Sequence, residues 1–234
     1  MAAFLLVPGA WLGGWCWRDV ASPLQAGGHA VIAATLTGLG ERAHLLRPDI
    51  GLDTHVADII DLLRQRDLDD VTLVGHSYGG TVLTAVAERA PDRIRRLVYL
   101  DASVPRDGES NNDVIGPAHA AALRSAADAH GDGWRVPPAA SVGDGLPDTL
   151  RRWVKAHLTP HPLRPFGETL FVRSQAAAAL PRVFIRTSTQ SGLYGNLMER
   201  AREAGWLCRE LKGGHYPMFT EPRLVATALA ELAG

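Results

Sequence analysis

The sequence predicts an α/β fold built on a mostly parallel sheet, and three observations support this prediction. Runs of apolar and β-branched residues alternate along the chain with stretches of helical periodicity, which is the order that βαβ crossovers produce. The apolar runs are continuous rather than alternating, as in strands that helices cover on both faces. The length of 234 residues suits one such domain with an inserted segment.

Each predicted element follows from a local signal. The first strand stops at Pro8-Gly9, and Thr54–Arg66 has apolar residues at helical spacing, with Thr54 as a candidate N-cap. The predicted strands are Ala3–Val7, His29–Leu36, Val71–Val74, Leu97–Leu100, Val183–Thr187 and Trp206–Leu211. The predicted helices are Trp17–Gln25, Thr54–Arg66, Thr81–Ala90, Leu193–Ala204 and Glu221–Leu232.

A less regular segment lies between two of the core strands. From Pro105 to Leu180, Gly, Pro, Asp and Ala dominate, and only short helical pieces such as Pro117–Ala129 and Pro147–His157 stand out. Such a stretch is too long for a simple loop. We therefore expect residues 1–104 and 181–234 to form the core, and residues 105–180 to form a small inserted cap.

One short segment carries the strongest functional signal. The strand Val71–Val74 leads directly into Gly75-x-Ser77-x-Gly79, and a helical stretch follows at once. A strand, a sharp turn and a helix are typical of a nucleophile elbow, in which glycines leave room for the turn and the serine hydroxyl is held at the end of the strand. In a chain with 24 glycines the bare pattern could arise by chance, but the two flanking elements argue against that. Ser77 is the predicted nucleophile.

A serine hydroxyl needs a base to take its proton, and His215 is the best-placed candidate among nine histidines. It follows the last predicted strand and precedes the terminal helix, and a serine followed by a late histidine is a known triad order. The elbow also predicts an oxyanion hole formed by the backbone N–H groups of Tyr78 and of Ala10, in the loop after the first strand. No close spacing of His, Cys and Asp indicates a metal site.

The composition excludes several classes of partner. Hydrophobic residues make up 46% of the chain, charged residues 21%, and the net charge is −1, which favours neither nucleic acid nor an anionic membrane as partner.

Two cysteines, Cys16 and Cys208, do not make a disulfide framework. The first residues form too short an apolar run for a signal peptide or a membrane span, so we expect a cytoplasmic protein.

At the level of motifs, the chain resembles the α/β-hydrolase superfamily and, within it, the branch of plant methylesterases, hydroxynitrile lyases and related bacterial esterases. The resemblance covers nearly the whole chain. It rests on the elbow and on Leu5–Trp11, Gly14–Trp17, Val98–Ala102, Leu158–Leu163 and Gly213–Met218. It implies a six-stranded core with helices on both faces, a small inserted cap, no cofactor and often a homodimer.

Two positions depart from the pattern of that branch. Pro8 stands where the family usually has His, and we expect this to alter packing at the pocket entrance more than the chemistry. The acid of the family's triad normally follows the strand Val183–Thr187, where this chain has Gln190 and no carboxylate. We hypothesise that Asp101, after the strand that follows the elbow, orients His215 instead. The alternative is that Asp101 only caps a turn.

The favoured function is serine-dependent hydrolysis of small carboxylic esters. Aromatic and thioether side chains suit aromatic or alicyclic esters, although core packing is the alternative role for each. The expected pocket residues are Trp11, Tyr78, Trp134, Trp153, Phe171, Tyr216 and Met218.

Three other functions stay open. A tailoring enzyme of secondary metabolism, performing lactone opening, cyclisation or elimination, would fit the missing acid. The resemblance implies that a hydroxynitrile lyase would carry Thr at Gly9 and Lys after the catalytic His, where this chain has Tyr216. A ligand-binding protein without catalysis is disfavoured by the intact elbow and His215.

Overall fold

A parallel sheet forms the centre of the molecule. The computed structural model describes residues 1–187, 194 and 196–233. The described strands are β1 (Ala3–Val7), β2 (Ala30–Ala33), β3 (Val71–His76), β4 (Ile94–Leu100), β5 (Arg135–Val136), β6 (His161–Pro162), β7 (Arg182–Thr187) and β8 (Leu207–Leu211). Six of them form the central sheet in the order β2-β1-β3-β4-β7-β8, with every neighbouring pair parallel, while β5 and β6 pair antiparallel.

Helices cover both faces of this sheet. The described α-helices are α1 (Arg18–Ala26), α2 (Leu52–Gln65), α3 (Gly79–Arg89), α4 (Asn111–Ile115), α5 (Pro117–His130), α6 (Asp148–His157), α7 (Arg164–Gly167), α8 (Gln175–Ala179), α9 (Leu197–Glu203), α10 (Pro217–Thr220) and α11 (Pro222–Ala230). None of these is long and apolar enough to cross a membrane.

The hydrophobic core divides into two layers because side chains alternate along each strand. In β1, Leu5 and Val7 pack with α2 and α3, whereas Phe4 and Leu6 pack with α1 and α11. Both layers are fully buried at these positions. The prediction of a six-stranded, mostly parallel sheet with helices on both faces is thus confirmed among the described residues.

The boundaries of the core elements agree with the sequence prediction to within a few residues, with two exceptions. The predicted N-cap Thr54 is not the cap: α2 begins at Leu52 after Gly51, and the carboxylate of Glu168 accepts a hydrogen bond from the Leu52 N–H. The predicted helix Leu193–Ala204 is described from Leu197, and its first residues lie partly outside the described part of the chain.

The segment 105–180 contains more regular structure than its sequence indicates. Five short helices, α4 to α8, and the two-residue strands β5 and β6 lie within it. Helices α5 and α6 correspond to the predicted pieces Pro117–Ala129 and Pro147–His157, whereas the other elements are too short for their periodicity to stand out. The segment is tied to the core at Trp11, whose indole N–H donates to the Val136 carbonyl at 3.1 Å and whose own carbonyl accepts from the Thr159 N–H at 3.1 Å.

Candidate active site

The elbow lies at the carboxyl end of β3, in the middle of the sheet. Directly after His76, Ser77 takes a left-handed backbone conformation with φ 54°, and α3 begins at Gly79. This conformation is unfavourable for a residue with a Cβ. The Ser77 carbonyl accepts hydrogen bonds from the backbone N–H groups of Gly80 and Ser103, both at 3.0 Å. These bonds hold the turn that carries the serine.

Close packing explains the glycines that flank the serine. A Cβ on Gly75 would lie 2.6 Å from Leu83 Cδ1, and one on Gly79 would lie 2.8 Å from the carbonyl oxygens of Val7 and Pro8. Both distances are far inside van der Waals contact, so a side chain would push α3 away from β3 and β1. The glycines therefore let the helix approach the sheet closely enough to form the turn.

Three side chains form a continuous chain of hydrogen bonds at the elbow. Ser77 Oγ–H donates to His215 Nε2 at 3.1 Å, and His215 Nδ1–H donates to Asp101 Oδ2 at 2.7 Å. An ionised carboxylate only accepts, which assigns the imidazole proton to Nδ1 and leaves Nε2 free to accept the serine proton. The structure thus brings together the three residues that the sequence suggested as nucleophile, base and acid.

Asp101 reaches His215 because it lies where β4 ends beside β7. Its backbone N–H donates to the Ile185 carbonyl at 2.7 Å, and its second carboxylate oxygen accepts from the Thr187 N–H at 3.4 Å. The Asp101 side chain is 1% exposed, against 15% for His215. A buried carboxylate held by a backbone donor presents one fixed oxygen to the imidazole. Gln190, at the family's usual acid position, lies outside the described residues.

His76 forms a hydrogen bond with the backbone of His215. Its Nε2–H donates to the backbone carbonyl of His215 at 2.6 Å, and the two ring centroids are 4.7 Å apart. Burial lowers the pKa of His76 well below its ordinary value, and the neighbouring His215 lowers it further. His76 is therefore a neutral donor that holds the backbone of His215 in position. Its Nδ1 has no hydrogen-bond partner among the described residues, so it does not accept from Ser77 as a base would.

Ala10 and Tyr78, the expected oxyanion donors, border the same cavity as Ser77. Tyr78 is anchored at its other end, since its buried hydroxyl donates to His55 Nδ1 at 2.9 Å and His55 Nε2–H donates to the Thr37 carbonyl at 3.1 Å. Burial lowers the pKa of His55 to about 4, so the imidazole stays neutral and accepts this bond. This anchoring holds the start of α3 in place. The oxyanion role of the two N–H groups stays a prediction.

A cavity of about 780 Å³ opens over the serine and is lined mainly by apolar groups. The core contributes Ala10, Trp11, Ser77, Tyr78, Tyr194, His215 and Tyr216. The segment 105–180 contributes Asn111, Ile115, His119, Leu123, Val136, Leu146 and Phe166, among others. Among the described residues, no group of three or more His, Cys, Asp or Glu side chains is arranged to hold a metal ion.

Four of the expected pocket residues lie elsewhere. Trp134 borders a separate hollow of about 290 Å³, and Trp153 packs edge to face against Trp15, with ring centroids 5.2 Å apart. Phe171 is 61% exposed, and Met218 is buried in the core layer that contains α1 and α11. Aromatic and thioether residues were expected in the pocket because of their type alone, and type does not distinguish pocket from core or surface. Trp11, Tyr78 and Tyr216 do line the cavity.

Tyr194 is a site residue that the sequence analysis did not find. Its hydroxyl lies 3.5 Å from Ser77 Oγ, and the residue is 3% exposed. It is part of no motif, and it lies in the sequence between β7 and α9. The pocket residues of segment 105–180 were missed for the same reason, because only the fold brings them over Ser77.

Sheet order, elbow and the Ser–His–Asp arrangement together define an α/β hydrolase. A family model described as the alpha/beta hydrolase family matches residues 4–228, and the chain belongs to this family. The expected superfamily is thereby confirmed.

Relatives of known name support the narrower branch. The chain is 38% identical to a carbendazim-hydrolysing esterase from a Nocardioides species, over 99% of this chain and 100% of the relative. It is 26% identical to the putative chloroplastic methylesterase 14 of Arabidopsis thaliana, over 98% of this chain and 71% of that protein. A solved extracellular α/β-hydrolase from a Paenibacillus species, described as sharing structural and functional homology with tobacco salicylic acid binding protein 2, is 25% identical with a TM-score of 0.87, over 100% and 99% of the two chains.

Proposed function

We propose that this protein is a serine-dependent hydrolase of small carboxylic esters. The observation that carries the proposal is the chain Ser77–His215–Asp101, with contacts of 3.1 Å and 2.7 Å. Ser77 Oγ attacks the ester carbonyl while His215 Nε2 takes its proton, and Asp101 stabilises the imidazolium that forms. The N–H groups of Ala10 and Tyr78 hold the developing oxyanion. His215 then returns the proton to the leaving alcohol, and a water molecule that it activates releases the acid.

Neutral esters with an aromatic or alicyclic part are the proposed substrate class. The cavity has room for a small ring system, and the exposed Asp144 is the one lining residue of the Asp, Glu, Lys or Arg type among those described. No described arginine or lysine in the lining is available to hold a free carboxylate. Because the Nocardioides relative is a carbendazim-hydrolysing esterase, carbendazim is the first aromatic compound to test.

The segment 105–180 acts as the cap in this proposal. It supplies one side of the cavity, and the Trp11 contacts with Val136 and Thr159 join it to the loop that carries Ala10. Substrate selection is expected to depend on this segment, because it lines the side of the cavity that faces Ser77 and His215.

Hydrolysis of p-nitrophenyl butyrate at pH 8 tests the proposal. The wild-type protein should show measurable kcat/KM, and Ser77→Ala should lose it down to the buffer rate, because the nucleophile is removed. Equal rates for the two proteins, or none for either, would contradict the proposal.

A further inference from the structure

Tyr194 is the second side chain that touches the reacting oxygen, and the mechanism above does not use it. Its hydroxyl is 3.5 Å from Ser77 Oγ, on the cavity side of a nearly buried residue. Strong O–H···O hydrogen bonds are shorter, about 2.7–2.8 Å. The contact with Ser77 is therefore weak, and the hydroxyl is available to a better acceptor when a substrate is bound.

Such an acceptor forms next to Ser77 during the reaction. When Ser77 Oγ bonds to the carbonyl carbon, the leaving oxygen is bonded to that same carbon and therefore lies close to Oγ. This oxygen gains negative charge as the carbon–oxygen bond breaks, while His215 transfers its proton to it. Tyr194 lies on the His215 side, since the two ring centroids are 5.7 Å apart. A hydrogen-bond donor placed there can stabilise the negative charge that develops on the leaving oxygen.

The protonation state of Tyr194 agrees with a donor role. Burial raises the pKa of the Tyr194 hydroxyl above its ordinary value, and the charge of Asp101 and the neighbouring Tyr216 raise it further. The hydroxyl therefore keeps its proton at neutral and moderately alkaline pH. It is unsuited to act as a base, which leaves His215 in that role.

We propose that Tyr194 is a catalytic hydrogen-bond donor to the leaving-group oxygen, and that it adapts the site to esters of simple alkyl alcohols. The inference rests on the proposed function and names its substrate class more closely. In the step concerned, the carbon–oxygen bond of the tetrahedral intermediate breaks, its electron pair goes to the leaving oxygen, and the proton from His215 completes the alcohol. Tyr194 donates a hydrogen bond and transfers no proton.

Two butyrate esters that differ only in their leaving group distinguish a donor to the leaving oxygen from a structural role of Tyr194. The kcat/KM values of p-nitrophenyl butyrate and methyl butyrate are measured for the wild type and for Tyr194→Phe. p-Nitrophenolate is a stable anion that leaves without help, whereas methoxide is not. Tyr194→Phe should therefore lower kcat/KM for methyl butyrate at least about 10-fold more than for p-nitrophenyl butyrate. Both esters give the same butyryl-enzyme, so later steps do not affect the comparison.

The ratio of the two values does not depend on the fraction of folded enzyme, because both are measured on one preparation. Tyr194→Met, which also removes the hydroxyl, should change the ratio in the same direction. Tyr99→Phe is the matched control: Tyr99 is a buried tyrosine of β4 whose hydroxyl contacts Thr84 Oγ1 at 3.1 Å, and its loss should leave the ratio unchanged.

An equal decrease for the two esters in Tyr194→Phe, or no decrease, would overturn the role of Tyr194 while leaving the esterase proposal intact. Turnover of neither ester by the wild type, or turnover that survives in Ser77→Ala, would overturn both.

Discussion

At the residue scale, the central feature is Asp101, the proposed acid of the triad. The family's usual acid position holds Gln190, while the structure has Asp101 at 2.7 Å from His215 Nδ1. The end of β4 and the end of β7 lie side by side in the sheet, so that a carboxylate from either strand can reach the same histidine. In the proposed mechanism the acid therefore comes from the end of β4.

Replacement of this acid gives the first prediction. Asp101→Asn should lower kcat by about 10³–10⁴, because an amide neither stabilises the imidazolium nor enforces the productive tautomer. The measurement is kcat for p-nitrophenyl butyrate, together with the thermal unfolding midpoint to show that the variant folds. A kcat within a few-fold of the wild type would mean that Asp101 is a structural residue and that the acid comes from elsewhere.

The residues of the site differ in how far sequence alone could find them. Ser77 and His215 belong to motifs with local signatures, and Asp101 could be named only as a hypothesis, with the capping of a turn as its alternative role. Tyr194 and most of the cavity lining could not be named, because their relevance depends on contacts between segments that are distant in the chain. Residue type was a poor guide: Phe171 is exposed and Met218 is in the core.

At the scale of elements, the loop after β1 joins the catalytic core to segment 105–180. Trp11 has a left-handed backbone with φ 65°, and it contacts this segment through both its indole N–H and its carbonyl. Ala10, an expected oxyanion donor, immediately precedes it. A change in this contact should therefore affect substrate binding and catalysis more than global stability.

Removal of the indole N–H gives the second prediction. Trp11→Phe loses the partly buried hydrogen bond to the Val136 carbonyl while keeping an aromatic ring. The kcat/KM should fall about 5- to 20-fold, since leaving that carbonyl without its partner costs about 1–2 kcal/mol. Trp134→Phe is the matched control, because Trp134 borders the separate hollow, and its kcat/KM should stay within about two-fold of the wild type. A similar decrease in both variants would contradict the role of this contact.

The long elements were predictable and the short ones were not, for physical reasons. The core strands and α1, α2, α3 and α11 have sustained periodicity and bury a continuous face, and their type and order agree with the sequence. Between residues 105 and 180, helices of four or five residues such as α4, α7 and α8 depend on packing against the core. Local sequence does not determine such pieces.

At the scale of the whole molecule, several buried histidines connect stability to pH. Burial lowers the pKa of His55 from 6.5 to about 4, and it also lowers the pKa values of His76 and His161. Between about pH 6.5 and pH 4 the unfolded chain binds a proton at His55 that the folded chain does not. The free energy of unfolding should therefore fall as the pH falls through this window, by about 3 kcal/mol from His55 alone.

Urea unfolding at pH 7, 5.5 and 4.5 checks this third prediction. In His55→Gln the decrease in the free energy of unfolding from pH 7 to pH 4.5 should be smaller than in the wild type, whatever the variant's stability at pH 7. His130→Gln, at an exposed position of α5, is the control. The same decrease in His55→Gln and the wild type would show that His55 does not resist protonation in the folded state.

Covalent labelling tests the central claim most directly, because it reports on the nucleophile itself. A fluorophosphonate should add one phosphonyl group to the peptide that contains Ser77, as seen by mass spectrometry after proteolysis. Labelling should be absent in Ser77→Ala and slower by at least about 10²-fold in Asp101→Asn, since the histidine that activates the serine loses its acid. A wild-type protein that stays unlabelled, or a label that persists in Ser77→Ala, would contradict the account.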